Sequence, residues 1–437
     1  MAQAYQLIQA QTLTSTAATV TFSNIPQNYT DLILKVSARS DGADDYGQIT
    51  FNGSSANFTR KFLIGTGSGF NNNSFSNNSF LTVNPSGYTT NTFATVEYYI
   101  SNYTGSNNKS INLDAVTENN ATAASAILQT VLWSNSAALT SISMNCNTGN
   151  FVSGSTFYLY GVGGQRASGG TITADSQYTY HTFTSSGTFT ALEKIKNAEV
   201  LLVAGGGGGA SGAASPGGGA GGVISYVGQT LAAGTSYNAI VGAGGSAGTS
   251  GVGKIDGTSG NNSYFGGNSA TGGGKGGEQS AAGNGGSGGG GATDFAAGSG
   301  IAGQGYNGGR SSSTKYGGGG GGAGGVGLAA DSGGANGGPG TSYYSTWHSA
   351  TQTAVANGGL YYIGGGGGAG ANIQFQSGTP SAGGIGGGGS ANSTSQAGSG
   401  TANTGGGGGG GTSDSSWGGV RTPASGGSGI IIVRYPK

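Results

Sequence analysis

The chain has 437 residues, and its 15 basic and 15 acidic side chains cancel, with only 7% of residues charged. A chain this neutral carries no electrostatic footprint for nucleic acid or for an anionic membrane surface. It also falls outside the usual disordered class, which pairs low hydrophobicity with high net charge.

The N-terminal stretch MAQAYQLIQAQTLTSTAATV lacks a basic start followed by an apolar block, so no secretory signal is expected. No run reaches the roughly 18 apolar residues of a membrane-spanning helix. In TDLILKVSARS, Leu32, Leu34, Val36 and Ala38 share one face at period two, which predicts a strand. The acidic segment DGADD, residues 41–45, lacks the spacing of a calcium loop and reads as turn chemistry. GQITFNG, TFATVEYYI, KSINLDAV and ILQTVLW read as further strands, separated by Asn, Gly and Ser clusters. SISMNCN places Ile142, Met144 and Cys146 on one face, and STFYLYGV closes the series. The lone Cys146 excludes an internal disulfide and suits a small buried hydrophobe. About seven short strands and no substantial helix predict an all-β, jelly-roll-like sandwich over residues 1–162.

Glycine then changes the rules. Thirteen of the 100 glycines lie in residues 1–165, and 87 lie in the remaining 272 residues. GVGGQRASGGT marks the boundary, with residues 163–170 expected as a linker and 171–437 as a glycine-rich domain. YTYHTFTSSGTFTAL predicts a hairpin turning at Ser185-Ser186-Gly187, with His181 in a structural position on a strand. NAEVLLVA, GGVISYVG and SYNAIVGAGG follow as strands. SGIIIVRY arrives at the end, and its uniformly apolar Ile430–Val433 suits a strand covered on both faces. The glycine-rich material from about Gly242 to Gly427 is then an insertion held at both ends.

The runs Gly205–Gly209, Gly217–Gly219, Gly288–Gly291, Gly317–Gly322, Gly364–Gly368, Gly386–Gly389 and Gly405–Gly411 are too interspersed with aromatic segments for a flexible linker. An extended helix with three residues per turn has no internal hydrogen bonds, so parallel arrays must satisfy one another's amides and carbonyls. Side chains would block that approach, and glycine permits it on every side. At ~3.1 Å per residue, five to seven glycines span about 15 to 22 Å, the size of a compact bundle with loops at its ends. A small β frame with a polyglycine II bundle is therefore expected.

YHTFTSSGTFT, AEVLLVAGGGGGASG, GGAGG and GGSGIIIVRYP resemble the glycine-rich domain of bacteriophage tail fibres and tail-tip adhesins, over roughly residues 169–437. TFSNIPQNYTDLILKVSARS, AVTENNATAAS, LWSNSAALTSISM and STFYLYGV resemble a virion structural module of marine and cyanobacterial phages. The resemblance implies a virion protein that attaches through its N-terminal half to other tail or capsid proteins. Its loops would recognise a host surface glycan or outer-membrane protein, and by family habit the assembly is a possible homotrimer. The competing reading is a head-fibre or capsid decoration protein without a specific receptor.

Tyr and Trp among Ser, Asn and Gly have the composition of adaptable binding loops. Tyr343, Tyr344, Trp347 and His348, with Trp417, are receptor-binding candidates, set against the alternative that they pack the side of the bundle. Arg310, Lys315 and Tyr316 form a smaller basic candidate for anionic sugars. No enzyme, cofactor or metal is expected. His181 and His348 are far apart, no Ser/His/Asp, Cys/His or paired-carboxylate pattern occurs, and Lys254 and Lys275 lack the Ser or Thr that follows a P-loop lysine.

Overall fold

The computed structural model describes residues 5–66, 69–117, 119, 124–249, 255–292, 295–311, 316–331, 335–370, 381–391, 396–414, 419–420 and 422–437. The chain divides into two compact units, Met1–Gln165 and Arg166–Lys437.

Unit 1 is all-β. Its larger sheet has eight strands in the order β1 (Gln6–Thr12), β12 (Thr156–Val162), β3 (Asp31–Ala38), β8 (Ala94–Ile100), β9 (Lys109–Thr117), β10 (Ser125–Trp133), β5 (Phe58–Gly65) and β6 (Phe70–Phe75). The smaller has four, β2 (Thr19–Phe22), β11 (Ile142–Cys146), β4 (Tyr46–Phe51) and β7 (Leu81–Thr82). Alternation puts Val96, Tyr98 and Ile100 of β8 and Ile111 and Leu113 of β9 inside. They meet Val20, Phe22, Ile49, Phe51, Ile142, Met144 and Cys146 of the smaller sheet in one core, so the two sheets form a sandwich. Burial pushes the Cys146 thiol up to about 11, consistent with a buried, unreactive side chain. Strands β1, β2, β5, β6 and β7 add to those read from the sequence. In β6, FNNNSF, all six residues are exposed, and the strand exists because it pairs with β5 across Phe70–Phe75.

Unit 2 begins inside the segment expected as a linker. The Gln165 amide donates to the Asn28 carbonyl of unit 1 at 2.7 Å. Ala167–Ser168 are already a strand, β13, of unit 2. Two five-stranded sheets follow. One runs β14 (Thr171–Ala174), β15 (Tyr178–Phe183), β27 (Ile430–Pro436), β17 (Ile195–Val203), β19 (Val223–Leu231). The other runs β13, β16 (Gly187–Ala191), β20 (Ser236–Ile240), β21 (Ser263–Phe265), β22 (Asn268–Ala270). The expected β15–β16 hairpin is not formed. Each strand pairs in a different sheet, and the Ser-Ser-Gly segment carries the chain from one to the other. The partner that displaces β16 is β27, which inserts between β15 and β17 from more than 200 residues away. One face of β27 places Ile431, Val433 and Tyr435 against Val200, Leu202, Phe189 and Phe265. The other places Ile430 and Ile432 against Leu201, Val203, Tyr180 and Trp347. Both faces are covered, as the apolar run predicts.

Past Val203 the backbone enters the glycine bundle. Gly205 and Gly208 donate to Asn261 and Thr258, Gly206 and Gly209 to Gly427 and Ala424, and Gly207 and Ala210 to Gly219 and Pro216. Successive amides thus point at three different neighbours and return to the first after three residues, the symmetry of the polyglycine II helix. The carbonyls of the same run accept from three more segments: Gly245 and Gly248, Gly273 and Gly276, and Gly408 and Gly411. Six neighbours therefore surround one helix, with donors going to antiparallel segments and acceptors serving parallel ones. A Cβ added at Gly207 would lie 2.1 Å from the Gly274 carbonyl oxygen, which is backbone and cannot swing aside.

Three small elements remain. β18 (Ser211–Gly212), β25 (Gly411–Asp414) and β26 (Gly419–Val420) form a short sheet, and β23 (Val355–Asn357) pairs with β24 (Leu360–Tyr362). The helix α1 (Ser345–Thr351) is the one helix among the described residues.

Candidate functional site

The hydrogen bonds sort the bundle's connections into two ends. At the frame end, Ala204 pairs with Gly222, Val223 with Gln304, Tyr306 with Gly322, and Gly364 with Thr404. At the opposite turn end, Ser211 pairs with Ile255, Gly317 with Gly370, Gly370 with Ser215, Ala330 with Arg310, Ala369 with Ala335, and Ala391 with Ser381. The candidates read from the sequence do not form one site, because they divide between these ends.

Arg310 and Tyr316 lie at the turn end. Arg310 is exposed and Tyr316 half-buried, and the Ser311 hydroxyl donates to the Tyr316 carbonyl at 2.5 Å. Lys315 and Trp417 lie outside the described residues. Nearby in this end's turn set, the Asp256 carboxylate organises a loop. It pairs with Lys275 Nζ at 2.8 Å, accepts from the Ser280 hydroxyl, and accepts the amides of Glu278 and Gln279. Burial opposes its ionised form, but the bonds from Lys275, Ser280 and the two amides outweigh it and hold the carboxyl down at about 2.

Tyr343, Tyr344, Trp347 and His348 lie at the frame end, and here the loop expected from the sequence is α1. The helix has no side-chain N-cap bond, and it ends at Gln352 in the left-handed conformation. Packing holds it in place, since Trp347 covers the outer face of β27 and is only 4% exposed. The Arg434 guanidinium lies 4.0 Å from the Trp347 ring centre and 4.2 Å from that of Tyr178, and it pairs with Glu199 at 2.8 Å. His348 is 0% exposed, with Nδ1 2.8 Å from the Thr353 hydroxyl and no partner for Nε2 among the described residues. Burial pushes its imidazole down to about 4. Trp347 and His348 are therefore corrected from receptor-binding candidates to interior residues. A helical turn, unlike the expected loop, directs Trp347 toward the sheet and buries His348. His181 is also interior, bridging the Gly169 carbonyl at 2.7 Å and the Tyr435 hydroxyl at 2.9 Å.

Tyr343 and Tyr344 remain at the surface to different degrees. The Tyr344 hydroxyl donates to Ser225 Oγ at 3.0 Å and its ring is half-buried against Trp347. Tyr343 stands edge-on to Tyr344, with ring centres 5.0 Å apart, and is 84% exposed. Both line an open groove of about 660 Å³ whose other walls are the 300–307 loop, Val223, Ala323 and Val326. Tyr306, Gln304 and Val326 were not singled out from the sequence. The signal was weak there, one tyrosine in a glycine-rich tract, and the Val223–Gln304 and Tyr306–Gly322 pairings bring that tract to the groove.

Elsewhere, Asp41 accepts the Asn150 amide and Asp44 the Asn147 side-chain amide, both at 2.7 Å, so DGADD is tied into turn bonding. Among the described residues no group of three or more His, Cys, Asp or Glu side chains converges.

A family model described as a glycine-rich domain matches residues 181–436, more than half of the chain, and the chain belongs to that glycine-rich domain family. A search of curated proteins finds no match.

Proposed function

We propose that the chain is a bacteriophage virion adhesin. Unit 1 attaches it to tail or capsid proteins, and the turn end of the glycine bundle meets a host surface glycan or outer-membrane protein. One observation carries this reading: the described residues that flank connections of unrelated sequence are gathered at one end of a bundle whose backbone is locked by its own hydrogen bonds. Such an arrangement separates scaffold from contact surface, as binding loops on a rigid framework do. Binding needs no catalytic group, and modest contacts multiply when many copies sit on one particle.

Immunogold labelling of intact particles with an antibody against unit 2 tests the placement. Label at tail or fibre tips is expected, and label over the capsid would turn the reading toward decoration. Replacing Arg310 and Tyr316 together with alanine is expected to weaken host-cell binding about tenfold, measured by adsorption of the purified chain to cells. Unchanged adsorption would remove this turn from the contact surface.

A further inference from the structure

The groove at the frame end lies at the other end of the bundle from the turn end proposed to meet the host, and the two are separate surfaces. Three of the large apolar side chains that unit 2 exposes gather along it: Tyr343, Tyr306 (48% exposed) and Val326 (52%). None is needed for the core clusters of unit 2. Their supports are rigid. The Tyr306 amide donates to Gly322 and its carbonyl accepts from Gly288, so the residue is stitched into the bundle on both sides. Gln304 accepts the Thr271 amide through Oε1 at 2.8 Å, and its carbonyl accepts from Val223. The Tyr343 amide donates to Thr341 Oγ1, and Thr341 pairs with Ile363. Little ordering is therefore left for a ligand to impose.

The chemistry of the lining restricts that ligand. Among the described residues that line the groove, none is charged. An anionic or cationic ligand would lose hydration there without gaining a counter-charge. A purely apolar ligand fits poorly too, because the walls also present tyrosine hydroxyls, glycine backbone and Asn307, whose Oδ1 is engaged by the Gly300 amide at 2.8 Å. What matches is a molecule with an apolar face to lie on an aromatic ring and neutral hydroxyls around its edge. The volume, about 660 Å³, lies inside the ~300–1,000 Å³ range of small-molecule sites.

We propose that this groove binds a neutral saccharide, with a pyranose ring seated against Tyr343 or Tyr306 and its hydroxyls bonded to the uncharged polar rim. Tyr344, fixed by Ser225, positions Tyr343 and supplies the groove's inner wall.

The test uses the full chain on an array of neutral and acidic oligosaccharides, followed by titration calorimetry with the strongest neutral hit. Binding to a neutral oligosaccharide is expected, weakened about tenfold by Tyr343→Ala and by Tyr306→Ala. It should be retained by Tyr343→Phe and by Val227→Ser, the latter an exposed position outside the groove. Affinity should hold as salt rises from about 0.05 to about 0.5 M, where a charge-driven site would lose it. Because Tyr343 is almost fully exposed, its alanine variant should melt as the parent does, so lost binding is not lost folding. No neutral hit, a hit indifferent to both alanine variants, or binding confined to acidic glycans and abolished by salt would each overturn the proposal. The outcome is independent of the turn-end reading, which is measured on cells with the Arg310 and Tyr316 variant.

Discussion

The two units keep their shape by opposite means. Unit 1 is held by side chains: Phe51, Phe58, Phe80, Tyr98 and Trp133 form a continuous aromatic cluster between its sheets, with Phe51 and Trp133 edge-to-face at 5.3 Å. Such a core draws its stability from apolar area, which is non-directional and tolerates exchange among shapes of similar volume. The bundle of unit 2 has no side chains to exchange along its central runs. Its cohesion comes from amides and carbonyls that find partners only when neighbouring backbones nearly touch, so an added methyl group has nowhere to go. The first arrangement is forgiving of chemistry and the second is forgiving of almost nothing, yet the second leaves every connecting turn free to vary.

That contrast can be broken most directly with one carbon atom. Gly207→Ala would drive a Cβ to 2.1 Å from the Gly274 carbonyl oxygen, and Gly218→Ala would do the same against Gly207. Either is expected to destabilise unit 2 by more than about 3 kcal/mol. In unit 1, Ile49→Val removes a buried methyl group from a comparable depth and should cost only about 0.5–1.5 kcal/mol. Scanning calorimetry on the full chain should show the glycine variants lowering one transition and the valine variant nudging the other. A Gly207→Ala chain that melts like the parent would show that the bundle does not pack as described.

Acid should separate the units as well. Both histidines belong to unit 2. His348 is depressed from 6.5 to about 4, and His181 is lowered too, in each case mainly because burial disfavours the charged ring. The folded form thus binds fewer protons than the unfolded one between those limits. Stability of unit 2 is fully present above about pH 6.5 and falls as pH drops toward 4, by on the order of 3 kcal/mol from His348. Further acidification removes the contribution of Asp256, which is lost from about pH 4 down to about 2. Unfolding curves at stepped pH should show the transition of unit 2 declining from 6.5, with His348→Gln flattening that limb. A limb of equal steepness in the glutamine variant would reject His348 as its source.

The same contrast governs what could be read from the sequence. Strands of unit 1 with clean alternation, such as β8 and β9, were legible because burial on one face writes itself as period two. β6 was not, because in FNNNSF Phe70 and Phe75 flank four Asn and Ser residues with no alternation, and the strand is set by its neighbour. In unit 2 the glycine runs announced a scaffold, and the apolar Ile430–Val433 announced a doubly covered strand. The β15–β16 hairpin misled because a local turn signal outweighed a pairing that β27 supplies from the far end of the chain. Local composition offered Tyr343 and Tyr344 as candidates, and their exposure is as expected, but it could not say that a seven-residue helix would turn Trp347 and His348 inward. Nor could it bring Tyr306 beside them, since that neighbour is chosen by the bundle.

An effect smaller than those of the glycine and histidine changes is expected at the seam where side-chain packing and backbone bundle meet. Arg434 lies between Tyr178 and Trp347 while pairing with Glu199, so one guanidinium fastens α1 onto the sheet. Arg434→Met keeps the apolar stem but removes both the charge over the rings and the ion pair. A loss of about 2 kcal/mol is expected, the value of a partly desolvated cation–π contact together with its paired carboxylate. The measurable consequence is local. Trp347 would gain water and its fluorescence would shift to the red before the main transition of unit 2. Because Tyr344 packs on Trp347 at 5.9 Å and in turn orients Tyr343, the loosened helix should also weaken whatever binds in the groove. A variant with a red-shifted Trp347 and undiminished groove binding would show that Tyr344 is held by Ser225 alone, and that the seam and the groove act independently.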